Sequence, residues 1–178
     1  MEIKNFEFKA KVDDLIYYEN KLLKLDPVFI GTDHQVDTYF HVKKGRLKLR
    51  EGNIENSLIN YNRENITGLK SSDVILYNFQ PNPALKNILA SQLGIKVVVS
   101  KTRNIYFIDN VKFHFDKVEN LGTFIEVEAI DTTGEQDIAD LQNQCEKYYE
   151  FFGVKKTNLV DRSYSDLIEE VYSCRSEH

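Results

Sequence analysis

Period-two alternation, repeated in some eight segments, is the feature that most restricts the fold of this chain. From Ile3 to Val12, Phe6, Phe8, Ala10 and Val12 share one face, while Asn5, Glu7, Lys9 and Lys11 share the other. The same alternation returns at Gln35–Val42, Arg46–Arg50, Leu58–Arg63, Val74–Phe79, Lys96–Ile108, Val111–Val118 and Thr123–Ile130. Asp109-Asn110 suits a tight hairpin turn and Leu121-Gly122 a weaker one. Helical spacing is confined to four stretches. One opens at Asp13-Asp14 and is closed by Pro27; one has Asn82 as cap, Pro83 in its first turn and Gly94 at its end. A third runs from about Gln136 to Phe152 with Ile138, Leu141, Cys145, Tyr148 and Phe152 along one stripe, and a short last one from about Ser163 to Tyr172. The expected fold is therefore α+β: an antiparallel eight-stranded meander closed into a β-barrel, with helices packed outside.

The chain has 178 residues, 42% hydrophobic, with 11 Phe and 10 Tyr but only 3 Pro and 8 Gly, which excludes a disordered chain. No repeat or linker divides it, so a single domain, Met1–His178, is expected. A net charge of −5 argues against a general nucleic-acid partner. No stretch approaches the roughly 20 apolar residues of a membrane span, and the start lacks an apolar leader core. Two cysteines, Cys145 and Cys174, make no disulfide scaffold, so a reducing, cytoplasmic compartment is the simplest expectation.

What alternates with the apolar residues is the functional clue. Bases gather on the third and sixth segments (Arg46, Lys48, Arg50; Lys101, Arg103), acids on the seventh and eighth (Asp116; Glu126, Glu128). A solvated sheet face places opposite charges across from each other, because such pairs gain roughly 0.2–1 kcal/mol. Arg46, Lys48 and Arg50 lie about 7 Å apart at ~3.3 Å per residue. Partly enclosed, each neighbouring pair repels by roughly 2 kcal/mol at an effective dielectric of about 20. Such a row is comfortable when open to water or when it grips a polyanion. If helices cover the apolar outside of the barrel, the charged faces point inward and line a channel. Its bases suit a polyphosphate, and its clustered carboxylates suit a hard divalent cation that bridges to phosphate oxygens. No G-x-x-x-x-G-K-[ST] phosphate loop occurs, and the four His show no H-E-x-x-H zinc spacing.

Four segments carry a family resemblance. They are Asn5-Phe6-Glu7-Phe8-Lys9-Ala10-Lys11; Gln35-Val36-Asp37-Thr38-Tyr39-Phe40 with Gly45-Arg46-Leu47-Lys48-Leu49-Arg50; Lys101-Thr102-Arg103 leading to Phe113-His114-Phe115-Asp116; and Leu121-Gly122-Thr123-Phe124-Ile125-Glu126-Val127-Glu128. In this order the chain resembles the CYTH superfamily, the triphosphate tunnel metalloenzymes. The ending Arg162-Ser163-Tyr164-Ser165-Asp166-Leu167 resembles its class IV adenylyl cyclase branch. The family's opening E-x-E-x-K reads Asn5-x-Glu7-x-Lys9 in this chain, so its first glutamate is an asparagine; the shifted register Glu7-x-Lys9-x-Lys11 would lose the middle one instead.

The resemblance implies Mg²⁺ or Mn²⁺ held by Glu7, Asp116, Glu126 and Glu128. It implies a triphosphate gripped by Lys9, Lys11, Arg46, Lys48, Arg50, Arg63, Lys101 and Arg103, with Glu7, Lys9, Asp116 and Glu126 at the catalytic centre. The implied reaction is ATP to cyclic AMP and pyrophosphate by in-line attack of the ribose 3′-hydroxyl. The alternatives are hydrolysis of an inorganic, thiamine or nucleoside triphosphate, and a non-catalytic nucleotide or polyphosphate binder, for which Asn5 speaks. The resemblance also leaves room for a homodimer. Asp37 and Tyr39 share the polar parity of their segment. His114 either contacts substrate or braces Asp116, Lys112 reads as a solvated strand end, and Cys145 as core. Arg162 and Tyr164 either close one channel mouth or belong to a docked helix.

Overall fold

A computed structural model describes residues 2–62, 70–131 and 133–176. Strands β1 (Glu2–Lys11), β2 (Val28–Phe40), β3 (Arg46–Glu51), β4 (Ser57–Asn62), β5 (Lys70–Asn78), β6 (Ile95–Ile108), β7 (Val111–Val118) and β8 (Gly122–Asp131) alternate with helices α1 (Leu15–Leu23), α2 (Pro83–Leu93), α3 (Ile138–Phe152) and α4 (Tyr164–Ser176). All eight strands pair antiparallel in a closed ring, β1-β5-β4-β3-β2-β6-β7-β8. The ring is shut where β1 meets β8, with Lys9 opposite Glu126 and Glu7 opposite Glu128.

The ring is not the simple meander expected. Two meanders, β2–β5 and β6–β8, are joined by crossovers, and β1 is inserted between their far ends. The reason lies in α1, whose apolar side packs on β7 and β8. It carries the chain across the outside of those strands and delivers β2 beside β6. Asp14 caps α1 by accepting the Tyr17 N–H, and Asn82 caps α2 through Ala84. The β6–β7 turn sits at Asp109-Asn110, where Asp109 takes a left-handed φ of 51°. At the next turn that conformation falls on Asn120 (φ 63°) before Gly122 (φ 99°).

The main core lies outside the barrel. Phe6, Phe8 and Ala10 of β1 with Val12 just after it, Phe113 and Phe115 of β7, and Ile125, Val127 and Ala129 of β8 pack under Leu141, Cys145, Tyr148 and Phe152 of α3. Phe113 meets Tyr148 edge-on with ring centres 4.7 Å apart. Cys145 donates to the Phe6 carbonyl at 2.9 Å, and burial pushes its thiol up to about 12, so it packs rather than reacts. Ile138, assigned to the same stripe, is instead exposed. Parts of β2 and β5 are less covered, and Phe29, Ile75 and Tyr77 are exposed there.

A second cluster closes one end of the bore. Tyr164 and Ile168 of α4 pack with Tyr39, Val97, Val99, Val118 and Phe124. The approach to α4 is stitched to β1: Val160 donates to the Lys9 carbonyl at 2.9 Å, and Leu159 bridges Ala10. Among the described residues no helix is long and apolar enough to cross a membrane.

Candidate active site

Alternation along a strand sends every second side chain to the same face, and once the ring is closed one face has only the interior to occupy. The result is a cavity of about 1300 Å³ lined by residues of all eight strands. Asn5, Glu7 and Lys9, Lys48 and Arg50, Lys101 and Arg103, Lys112 and His114, and Glu126 and Glu128 all face it. Among the residues whose side chains are described, the charged lining fails on β4 and β5. Ser57, Ile59, Tyr61, Val74, Leu76 and Asn78 line the cavity there and form a neutral, largely apolar wall.

The charges are interleaved more than a basic wall facing an acidic wall would be. Buried cations left without counter-charges are costly, and Asp37 supplies one inside the basic wall. Its carboxylate takes Arg50 Nε and Nη2 at 2.8 and 3.0 Å, Lys101 Nζ at 2.7 Å and Lys48 Nζ at 3.2 Å. Burial disfavours its charge, but Arg50, Lys101 and Lys48 hold it well below the usual carboxylate range. Lys101 shares this one partner with two other cations. Burial, with repulsion from Arg50, Arg103 and Lys48 set against Asp37, brings it down to about 7.

Arg103 anchors the opposite cluster. Its Nε and Nη2 reach Asp116 at 2.7 and 2.6 Å, and Nη2 also reaches Glu126 at 2.9 Å. The other side of Glu126 meets Lys9 at 3.2 Å. Tyr164 donates to Asp116 at 2.7 Å, so both oxygens of that carboxylate are engaged. Lys9 Nζ stands 4.2 Å from the Tyr164 ring centre.

Glu7, Glu126 and Glu128 crowd the seam between β1 and β8. Burial, then repulsion from Glu126 and Glu7, lifts Glu128 to about 7. His114 Nδ1 lies 3.3 Å from Glu126, and burial together with Arg103 drives the imidazole down to about 3, so it is neutral. Asn5 Oδ1, buried and facing the same space, has no hydrogen-bond partner among the described residues. Crowded carboxylates with an orphaned amide oxygen are a donor set that fits a divalent cation.

Other predicted residues stand further out. Arg46 is half-buried and paired with Asp166 of α4 at 2.8 Å. Lys11 is exposed, near the Phe124 ring. Arg63 lies outside the described residues. Arg162 is half-buried and pairs with Glu170, whereas Tyr164 enters the bore. Lys112, set aside as a strand end, lines the cavity and pairs with Glu55; its shared parity with His114 was the available signal. Glu55 had none. It reaches in from the β3–β4 loop to Arg50 at 3.0 Å and to Gln35, because Asp33 accepts the N–H groups of Ile54 and Glu55 and folds that loop over the bore.

The family model described as the CYTH domain matches residues 4–164. The chain belongs to the CYTH family. A Methanocaldococcus jannaschii protein named "Putative adenylate cyclase" is 27% identical over 174 residues, covering 90% of this chain and 96% of that protein. Among solved structures, a conserved hypothetical protein of Pyrococcus furiosus superposes with a TM-score of 0.75 at 21% identity, over 92% of this chain and 99% of its own. A Hippeastrum protein named "Putative adenylyl cyclase" and described as having a dominant triphosphatase activity superposes with a TM-score of 0.59 at 14% identity, covering 94% of each chain. At these identities the structures speak for the fold, and the fold of this CYTH chain is the eight-stranded barrel its alternation predicts.

Proposed function

We propose that this CYTH protein is a divalent-metal-dependent enzyme that takes a triphosphate into its bore, and that it works as a class IV adenylyl cyclase does, forming cyclic AMP and pyrophosphate from ATP. The observation that carries the reading is the juxtaposition of Lys48, Arg50, Lys101 and Arg103 with the crowded carboxylates Glu7, Glu126 and Glu128 in one cavity.

In this reading Arg50 and Arg103 grip phosphate oxygens through their forked guanidinium groups, while Lys9, Lys48 and Lys101 act as point charges. Phosphate oxygens share these cations with Asp37, Asp116 and Glu126, and that sharing aligns the chain of phosphates along the bore. The same cations stabilise the charge that develops on the leaving pyrophosphate. Mg²⁺ or Mn²⁺, held by Glu7, Glu126 and Glu128 with Asn5 as a neutral oxygen donor, would supply charge neutralisation and Lewis acidity. Asp116, the fourth carboxylate in this proposal, orients Arg103 and Tyr164 in the present arrangement. The apolar wall of Ile59, Tyr61 and Leu76 offers a seat for a nucleobase, which inorganic triphosphate would leave empty. The name of the Methanocaldococcus relative points the same way.

Hydrolysis by water at the γ-phosphorus uses the same cations, and the activity ascribed to the Hippeastrum protein supports it as the second reading. Incubation with ATP, GTP, thiamine triphosphate and tripolyphosphate under Mg²⁺ or Mn²⁺ separates the two. Cyclic AMP with pyrophosphate is expected from ATP; ADP with phosphate would transfer the assignment to the triphosphatase. Glu126→Gln should abolish either activity, and turnover that survives it would refute the role given to that carboxylate.

A further inference from the structure

One member of the seam cluster has a chemistry the carboxylates lack. His114 directs Nδ1 at two of them, 3.3 Å from Glu126 Oε2 and 3.9 Å from Glu128 Oε1. The first separation is longer than the 2.7–3.2 Å usual for an N–H···O bond, and the second is no hydrogen bond at all. Ions that bind nitrogen and oxygen at about 2.1 Å hold neighbouring ligands ~3.0 Å apart at right angles and ~4.2 Å apart when opposite. Both separations fall within that window, and one donor atom from each of the three residues lies within 4.8 Å of the others.

An independent observation concerns the rest of the ring. His114 is 1% exposed and lines the bore, yet its Nε2 has no hydrogen-bond partner among the described residues. A buried ring nitrogen without a protein partner points to a guest in the bore that satisfies it. Glu126 and Glu128 are the carboxylates that face its other nitrogen. The Asn5 Oδ1, equally buried and unpartnered among the described residues, lines the same cavity.

We propose that His114 is a nitrogen ligand of a divalent-cation site shared with Glu126 and Glu128, so that this site selects a first-row transition-metal ion over Mg²⁺. Mg²⁺ demands oxygen ligands in a near-ideal octahedron and gives up its waters reluctantly, whereas an imidazole suits the transition series. The inference rests on the metal-dependent reading of the bore and sharpens it, by naming the class of ion.

The test uses the full-length protein, freed of metal with EDTA and loaded with Mn²⁺ as a paramagnetic probe. Pulsed electron paramagnetic resonance should show nitrogen modulation from one imidazole, and growth on ¹⁵N-histidine should change its frequency. In His114→Gln the modulation should vanish, Mn²⁺ should bind about 10–100-fold more weakly, the loss expected when even a ligand's supporting partner is removed, and Mg²⁺ should be nearly unaffected. Bound Mn²⁺ with no nitrogen coupling, or an unchanged Mn²⁺-to-Mg²⁺ affinity ratio in the variant, overturns the proposal and leaves the metal-dependent reading standing. Absence of any bound Mn²⁺ overturns both. The isotope measurement on the unaltered protein decides the matter even where the variant fails to fold.

Discussion

Asp37 shows how far a single residue organises the bore. The sequence placed it on the polar parity of its strand, but nothing local marked it as the counter-charge of three cations, because its partners come from β3 and β6. Asp37→Asn removes that counter-charge from buried bases and should cost about 3–5 kcal/mol of stability. Tripolyphosphate should restore more of the variant's melting temperature than it adds to the unaltered protein, as thermal scans would show. Lys101 makes a complementary prediction. With its folded value near 7 and its ordinary value at 10.5, folding sheds a proton between those limits, and this residue's contribution to stability rises with pH across them. Phosphate oxygens pull the ammonium back to its charged form. Binding of tripolyphosphate at pH 8 should therefore take up close to one proton per ligand, measured calorimetrically in buffers of different ionisation heat, and Lys101→Met should abolish the uptake.

At the scale of elements, α4 does more than terminate the chain. Its first residue, Tyr164, reaches Asp116 at 2.7 Å from within the bore, while Arg46 of β3 holds Asp166 at 2.8 Å. Tyr164→Phe leaves a buried carboxylate short of one donor and should cost about 1–3 kcal/mol in urea unfolding. Asp166→Asn, at a partly exposed pair, should cost no more than about 1 kcal/mol. The alternation made β1, β3, β7 and β8 readable to within a residue or so at either end, because each has one face under helices or neighbours and one toward the bore. Punctuation at Asn82, Pro83 and Gly94 did the same for α2. Two features escaped. The crossovers depend on where α1 packs, which is a property of tertiary contacts and not of α1 itself. The folding of the β3–β4 loop over the bore depends on Asp33, a buried carboxylate that accepts backbone N–H groups more than twenty residues away in sequence.

The molecule as a whole sets local electrostatics against folding. Glu128, raised to about 7 from an ordinary 4.5 by burial and by Glu126 and Glu7, is an acid the fold prefers to keep protonated. Its effect is absent below pH 4.5, grows unfavourable between pH 4.5 and 7, and is at its full size above 7. Glu128→Gln should thus raise the melting temperature at pH 8 and leave it nearly unchanged at pH 4.5. Saturating Mn²⁺ should stabilise the unaltered protein at pH 8 and do little for the variant. The charged interior was inferable because bases and acids lay on separate strands of common parity. The apolar wall was not, since Ile59 and Leu76 look from sequence like any core residues, and only closure of the ring turns them inward.

That closure has a consequence for biosynthesis. The last stitch of the barrel joins residue 7 to residue 128, so a ribosome has released every strand but the final one before the two halves of the carboxylate seam can touch. An emerging polypeptide that ends at β7 already pairs Arg50 and Lys101 with Asp37 and Arg103 with Asp116, but lacks Glu126 and Glu128, with raw strand edges at β1 and β7 ready to recruit a neighbour. Translation through Glu128 lets β8 cover both raw edges and close the ring, and a truncation just short of it is the lesion to which this architecture is most vulnerable.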